Sequence, residues 1–258
     1  LLDRAVFVGA NLDIERRALP NDARQLWLTR PGARLEAWFF ASDRAPRRGA
    51  PAILYFHGNA ELIDNNIDLA RAYAAQGFHV LLAEYRGYGG STGNPSAPTL
   101  PGDAAAFFDL LAAQPEIDPA RIIVIGRSLG GAAAGAVLAQ RRPCAASLEQ
   151  TFTSLADMVA AAGMPRFLAG DHLNTATALA GFAGPVLVMH GEADEVIPFA
   201  QGRRLGEIAA ARPATLSRFV SFAGGHNPMA PFPAIHAETV AFFAATPCGP
   251  ISPQMSPS

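Results

Sequence analysis

Along the chain, short continuous apolar runs alternate with stretches whose apolar residues recur at helical spacing, and the patterns change places at turns rich in Gly and Pro. Residues 51–56 and, apart from His79, residues 78–83 are apolar throughout, and each run ends in a turn carrying glycine, His57-Gly58-Asn59 and Glu84-Tyr85-Arg86-Gly87. Runs of this length without alternation read as strands buried on both faces. Between them Ile63, Ile67, Ala70 and Ala74 repeat every three or four residues, and Gly77 is placed to stop the helix. The rhythm continues with a helix at about 102–114, a strand at 122–125, a helix over 131–140 and a strand at 144–148. Buried strands resume at 185–190 and 216–222, and a helix over about 234–245 closes the pattern.

Three stretches depart from it. Residues 24–29 and 34–40, separated by Pro31-Gly32, predict an antiparallel hairpin at the sheet edge. Residues 151–183 are rich in Met, Phe, Ala and Gly with no clear strand, and are expected to form a small cap or insertion. Residues 246–258, crowded with Pro and Ser, are expected to be a poorly ordered tail. The whole pattern predicts an α/β fold: one domain over 1–245, with a mostly parallel central sheet of about eight strands and helices on both faces.

Composition narrows the function classes. The formal charge of −2, without a long basic stripe, lacks the electrostatic footprint of nucleic-acid binding. All 20 basic residues are Arg, so the absence of Lys excludes Schiff-base chemistry, a phosphate-loop lysine and a Ser-Lys dyad. Two cysteines, Cys144 and Cys248, argue against a disulfide framework; the compartment is left open, with a cytoplasmic setting favoured over others. No apolar span reaches the roughly 18 to 20 residues of a membrane helix. The chain starts at Leu1 rather than Met, so an upstream signal or anchor stays open.

The chemistry concentrates at Gly126-Arg127-Ser128-Leu129-Gly130, between the apolar run 121–125 and the Ala-rich run 131–140. A serine at such a strand-to-helix corner is forced into a strained backbone, which the flanking glycines permit, and its hydroxyl is held outward. A neutral hydroxyl needs a base, and the base an orienting acid. Asp194 in Gly191-Glu192-Ala193-Asp194 and His226 in Gly224-Gly225-His226-Asn227 each follow a predicted strand, so all three residues fall on one sheet edge. Glu149 and Glu192 are the rivals of Asp194.

These motifs, with His57-Gly58-Asn59-Ala60 and Tyr85-Arg86-Gly87-Tyr88-Gly89-Gly90-Ser91, resemble the α/β-hydrolase superfamily from about residue 27 to 245, most closely its small esterase, thioesterase (depalmitoylase-like) and serine-aminopeptidase-like branch. The resemblance implies a catalytic triad of Ser128, Asp194 and His226, an oxyanion hole from the backbone N–H groups of Asn59 and Leu129, and an acyl-enzyme intermediate. No cofactor is expected, and no metal, because His79, His172, His190 and His236 show no metal-ligand clustering. Phe152, Met158, His172 and Asn227 are the expected pocket residues; Leu155, Val159, Met164, Phe167 and Leu168 complete an apolar wall for a small-molecule or lipid-like acyl substrate. The alternatives are a peptidase, in which Glu61, Asp64, Glu149 or Asp157 receives an amino terminus, and a catalytically silent binding protein. Oligomeric state is left open. His57 and Arg86 are expected to be structural, and Arg127 to be ion-paired or to meet an anionic substrate.

Overall fold

In the computed structural model, which describes residues 3, 6–11, 15–170, 172–212 and 216–250, the apolar runs become the inner strands of one sheet. The hairpin is β1 (Ala23–Arg30) and β2 (Ala33–Phe40), turning at Gly32 with φ of 71°. The remaining strands are β3 (Ala50–Phe56), β4 (His79–Ala83), β5 (Ile117–Arg127), β6 (Ala145–Glu149), β7 (Val186–Gly191) and β8 (Ser217–Phe222). Their spatial order is β1-β2-β4-β3-β5-β6-β7-β8, antiparallel at β1–β2 and β2–β4 and parallel elsewhere. The order reverses between β3 and β5, and crossover helices therefore leave on opposite faces.

The helices are α1 (Ile67–Ala74), α2 (Leu100–Ala112), α3 (Leu129–Gln140), α4 (Leu155–Ala161), α5 (Thr175–Gly181), α6 (Phe199–Ala210) and α7 (Phe232–Ala244). Two cores result because side chains alternate across each strand. Leu54, Phe56 and Val124 face one core with Phe107 of α2, Val137 of α3 and Leu205 of α6. Ile53, Tyr55 and Ile123 face the other with Ile67 and Tyr73 of α1 and Phe243 of α7. Within 151–183, α4 and α5 flank a short 3-10 turn, Arg166–Ala169, and a lone bridge joins Ser154 to Asn174.

Two expectations need correction. β8 is the edge strand of the sheet and only half-buried, because no further strand among the described residues covers its outer edge. Cys144 and Cys248 form a disulfide across 104 residues, their Cα atoms 5.7 Å apart. Cys144 precedes β6 and Cys248 follows α7, and only the packed fold brings these points together. Residues 246–250 accordingly lie against the domain, with Cys248 fully buried and Thr246 Oγ1 donating to Phe243 O. The rest of the expected tail, 251–258, lies outside the described residues.

Candidate active site

Ser128 occupies the corner between β5 and α3 with φ of 54° and ψ of −118°, a backbone conformation that a side chain makes costly. The surroundings hold it there: Ser128 N–H donates to Glu149 O at 2.9 Å, and Thr151 Oγ1 donates to Ser128 O at 2.8 Å. A Cβ at Gly126 would fall 2.1 Å from Gly130 O, and one at Gly130 would fall 2.1 Å from Phe56 O. Glycine at both positions is thus a requirement of helix, strand and corner meeting at close range.

The loops after β7 and β8 bring the other two residues to this corner. His226 Nε2 lies 3.1 Å from Ser128 Oγ, and His226 Nδ1 lies 2.8 Å from Asp194 Oδ2. An ionised carboxylate only accepts, so Nδ1 carries the proton and Nε2 presents its lone pair to the serine hydroxyl. Asp194 is fixed in turn, since its Oδ1 accepts from Val196 N–H at 2.9 Å and Ile197 N–H at 2.8 Å. Glu195 Oε2 accepts from His226 N–H at 3.0 Å, and that bond holds the Glu195 carboxyl below its usual range. Neither rival acid bonds to His226. Glu192 accepts from Ser221 Oγ, and Glu149 lies buried with Ser147 Oγ 3.4 Å from its Oε1.

His190, for which the sequence reading names no role, also touches Asp194. Its Nε2 lies 2.9 Å from Ile197 O and 3.3 Å from Asp194 Oδ2, both acceptors, so Nε2 carries the hydrogen. Burial lowers its pKa and keeps it neutral. The available signal was its place at a strand end, four residues before the acid. Arg127 is ion-paired as expected: it donates to Glu61 Oε1 at 2.7 Å, and also to His226 O at 3.3 Å and to Asn227 Oδ1.

In front of Ser128 a cavity of about 320 Å³ is lined by Asn59, Leu129, Phe152, Leu155, Met158, Val159 and Met164, with Val6 and Val8 from the N-terminal segment. Leu129 opens α3, so its N–H has no carbonyl one turn earlier to bond within the helix. The side chain of Asn59 is already engaged: its Oδ1 accepts from Tyr88 Oη at 2.6 Å and from Gly9 N–H at 3.4 Å, and its Nδ2 donates to Val6 O. What Asn59 has left for a ligand is its main chain.

Several expected wall residues are elsewhere. His172 lines a different cavity with Pro101, Gln140 and Thr177, because the chain after the 3-10 turn carries it over α3 and α5. Asn227 is turned to Arg127 and does not line the front cavity. Phe167, 80% exposed, and Leu168 stand on the solvent side of the 3-10 turn. His57 is buried between Gly58 O at 2.7 Å and Glu84 Oε1 at 2.8 Å; burial alone would lower its pKa, but the Glu84 carboxylate outweighs it and the net shift is upward. Arg86 pairs with Asp103. Among the described residues no cluster of three or more potential metal ligands occurs, and no helix is long and apolar enough to cross a membrane.

The family model described as "Serine aminopeptidase, S33" matches residues 48–151. An uncharacterized protein of Mycobacterium tuberculosis is 40% identical over 204 residues, spanning 77% of this chain and 70% of its own. The alpha/beta hydrolase domain-containing protein WAV2 of Arabidopsis thaliana is 36% identical over 221 residues, spanning 78% and 70%. Among solved structures, esterase 2 of Thermogutta terrifontis, phosphoramylated by tabun, superposes with a TM-score of 0.74 at 17% identity, covering 92% of this chain and 98% of that one. At that identity the likeness is one of fold.

Proposed function

This chain belongs to the α/β-hydrolase superfamily, and on that premise we propose that it is a serine hydrolase that cleaves carboxylic esters or thioesters through an acyl-enzyme on Ser128. The observation that carries this reading is the relay from Ser128 Oγ to His226 Nε2 at 3.1 Å and from His226 Nδ1 to Asp194 at 2.8 Å. Ser128 Oγ attacks the acyl carbon while its proton passes to His226 Nε2, and Asp194 stabilises the resulting imidazolium without taking its proton. The oxyanion is met by the N–H groups of Leu129 and Asn59, each worth roughly 3 to 4 kcal/mol of barrier. His226 then protonates the departing alcohol or thiol. Water, deprotonated by the same imidazole, attacks the acyl-enzyme, releases the carboxylic acid and restores Ser128.

Substrate preference follows from the walls of the front cavity. Phe152, Leu155, Met158, Val159 and Met164 supply apolar surface and no charge, which suits the hydrocarbon part of an acyl group. Two methionines among them make the wall adaptable. Turnover of p-nitrophenyl esters, with fluorophosphonate labelling of Ser128 read by mass spectrometry, tests the assignment. Ser128→Ala is expected to lose roughly 10⁴-fold or more in kcat and all labelling; equal turnover by both proteins would reject it.

A peptidase reading is favoured by the description of the matched family model. Of the four acids proposed to receive an amino terminus, Glu61 pairs with Arg127, Asp64 with Arg16 and Asp157 with Arg166. Glu149 makes no ion pair among the described residues and remains for this role. Cleavage of amino-acid amides at a rate comparable with esters would establish this reading, and their inertness would remove it.

A further inference from the structure

The turn from His57 to Ile63, which carries the Asn59 N–H proposed to meet the oxyanion, is pinned at both ends by residues that follow β4. Tyr85 Oη donates to His57 O at 2.7 Å, and Ile63 N–H donates to Glu84 Oε2 at 3.1 Å. Between these pins lies Asn59, whose side chain is held by Tyr88 and by the N-terminal segment. Tyr88 Oη donates to Asn59 Oδ1 at 2.6 Å, and burial raises that hydroxyl above its usual range, so it keeps its hydrogen. Gly9 N–H adds a weaker bond to Oδ1 at 3.4 Å. Asn59 Nδ2 donates to Val6 O, which can only accept, and the orientation of the amide is thereby fixed.

The N-terminal segment is anchored on this turn. Phe7, 1% exposed, belongs to the same core as Leu62, Tyr85 and Tyr88. Its N–H donates to Asp3 O at 2.8 Å, and Asp3 Oδ1 accepts from Ala97 N–H at 2.9 Å. Gly9 lies so close that a Cβ there would fall 2.1 Å from Asn59 O and 2.4 Å from Tyr88 Cε1. On either side of Phe7 in the chain, Val6 and Val8 join Leu155, Met158 and Val159 of α4 in lining the cavity in front of Ser128. Val8 is 43% exposed and so stands where that cavity meets solvent.

We infer that Val6–Asn11 is a fixed wall of the acyl site in which Val8 selects for acyl length, and that the Asn59 side chain is the latch joining this wall to the oxyanion turn. The inference rests on the reading of Ser128 as the nucleophile of an ester or thioester hydrolase. The wall suits a hydrocarbon chain: Val6 and Val8 offer methyl groups, while Val6 O and Gly9 N–H are already spent on Asn59. The latch is a positioning device. Both polar atoms of the Asn59 amide are committed, so the side chain acts by holding the peptide plane of its own residue. A donor displaced by about 1 Å from the developing charge can cost roughly 10²-fold in rate.

Two variants separate wall from latch. In Val8→Trp, the ratio of kcat/KM for p-nitrophenyl octanoate to that for the acetate is expected to fall by roughly tenfold or more. Asn59→Ala is assayed on the acetate, whose short acyl group makes little use of the wall. Its kcat is expected to fall about tenfold or more while KM moves less than about threefold. Amide hydrogen exchange over 57–63 should quicken by about tenfold or more in the same variant. Tyr88→Phe, which deletes one hydroxyl and keeps the ring, should lower kcat in the same sense by a smaller factor. A role in folding alone would lower the unfolding temperature and leave kcat in place. An unmoved chain-length ratio in Val8→Trp, or a kcat within about twofold of wild type in Asn59→Ala, overturns the inference. Should Asn59→Ala not fold, Tyr88→Phe decides by the same criterion. If wild type hydrolyses neither ester and Ser128 takes no fluorophosphonate, the functional reading falls and this inference with it. If wild type is active and the variants fail to respond, this inference falls alone.

Discussion

The cavity in front of Ser128 and a second one of about 430 Å³, lined by Tyr55, Arg127, Glu149, Gln150, Pro228 and Met229, are built from opposite materials. In front, the polar atoms around Ser128 are matched one to another, from hydroxyl to imidazole to carboxylate to the backbone N–H groups of Val196 and Ile197, and the remaining wall is hydrocarbon. In the second, Gln150 Oε1 is buried with no partner among the described residues, and Glu149 Oε1 lies 3.4 Å from Ser147 Oγ. A matched network rigidifies what it contains, which suits a relay that must act without reorganising. An unmatched one is costly unless something fills it.

The sharpest way to break the contrast is to disturb the matched side. Asp194→Asn keeps the shape but leaves His226 free to adopt the wrong tautomer, and kcat is expected to fall by roughly 10⁴ in ester assays. A fall of less than tenfold would mean that the carboxylate does not orient the imidazole. Reshaping the hydrocarbon wall comes next. Met158→Trp should shorten the preferred acyl chain, shifting the ratio of kcat/KM between long and short p-nitrophenyl esters by roughly 10- to 200-fold; an unmoved ratio would place the acyl group outside the front cavity.

The smallest effect lies on the unmatched side and is read in stability. Glu149 titrates at about 7 in the folded protein, above the 4.5 of the free side chain. Protons are therefore bound more tightly in the folded state, and stability declines as pH rises from about 4.5 to about 7. Glu149→Gln removes that decline and should gain, relative to wild type, up to a few kcal/mol between pH 5 and pH 8 in denaturant unfolding. A pH-independent difference between the two proteins would show that Glu149 is not held in its neutral form.

The sequence disclosed those parts of the molecule whose cause is local. Apolar runs located the inner strands because burial on both faces leaves no room for alternation, and Gly126 and Gly130 marked the corner because each sits where a Cβ has no space. Ser128, Asp194 and His226 were legible as strand-end residues, since parallel strands deliver their ends to one edge. Features set by long-range packing were hidden. Nothing near Cys144 or Cys248 announces a partner 104 residues away. His172 was expected in the front pocket, but its place depends on how the chain crosses α3 and α5. The Asn59 amide was committed to Val6, Gly9 and Tyr88 by an N-terminal segment whose path no periodicity marks.

The Cys144–Cys248 bond also divides the relay covalently. It closes a ring that holds both Asp194 and His226 and leaves Ser128 outside. A protease that cut once within the ring would leave the acid and the base joined through sulfur, whereas a cut between Ser128 and Cys144 would part the nucleophile from both. The span from 129 to 143, mostly α3, is thus the only covalent connection between Ser128, the proposed nucleophile, and the Asp194–His226 pair proposed to activate it.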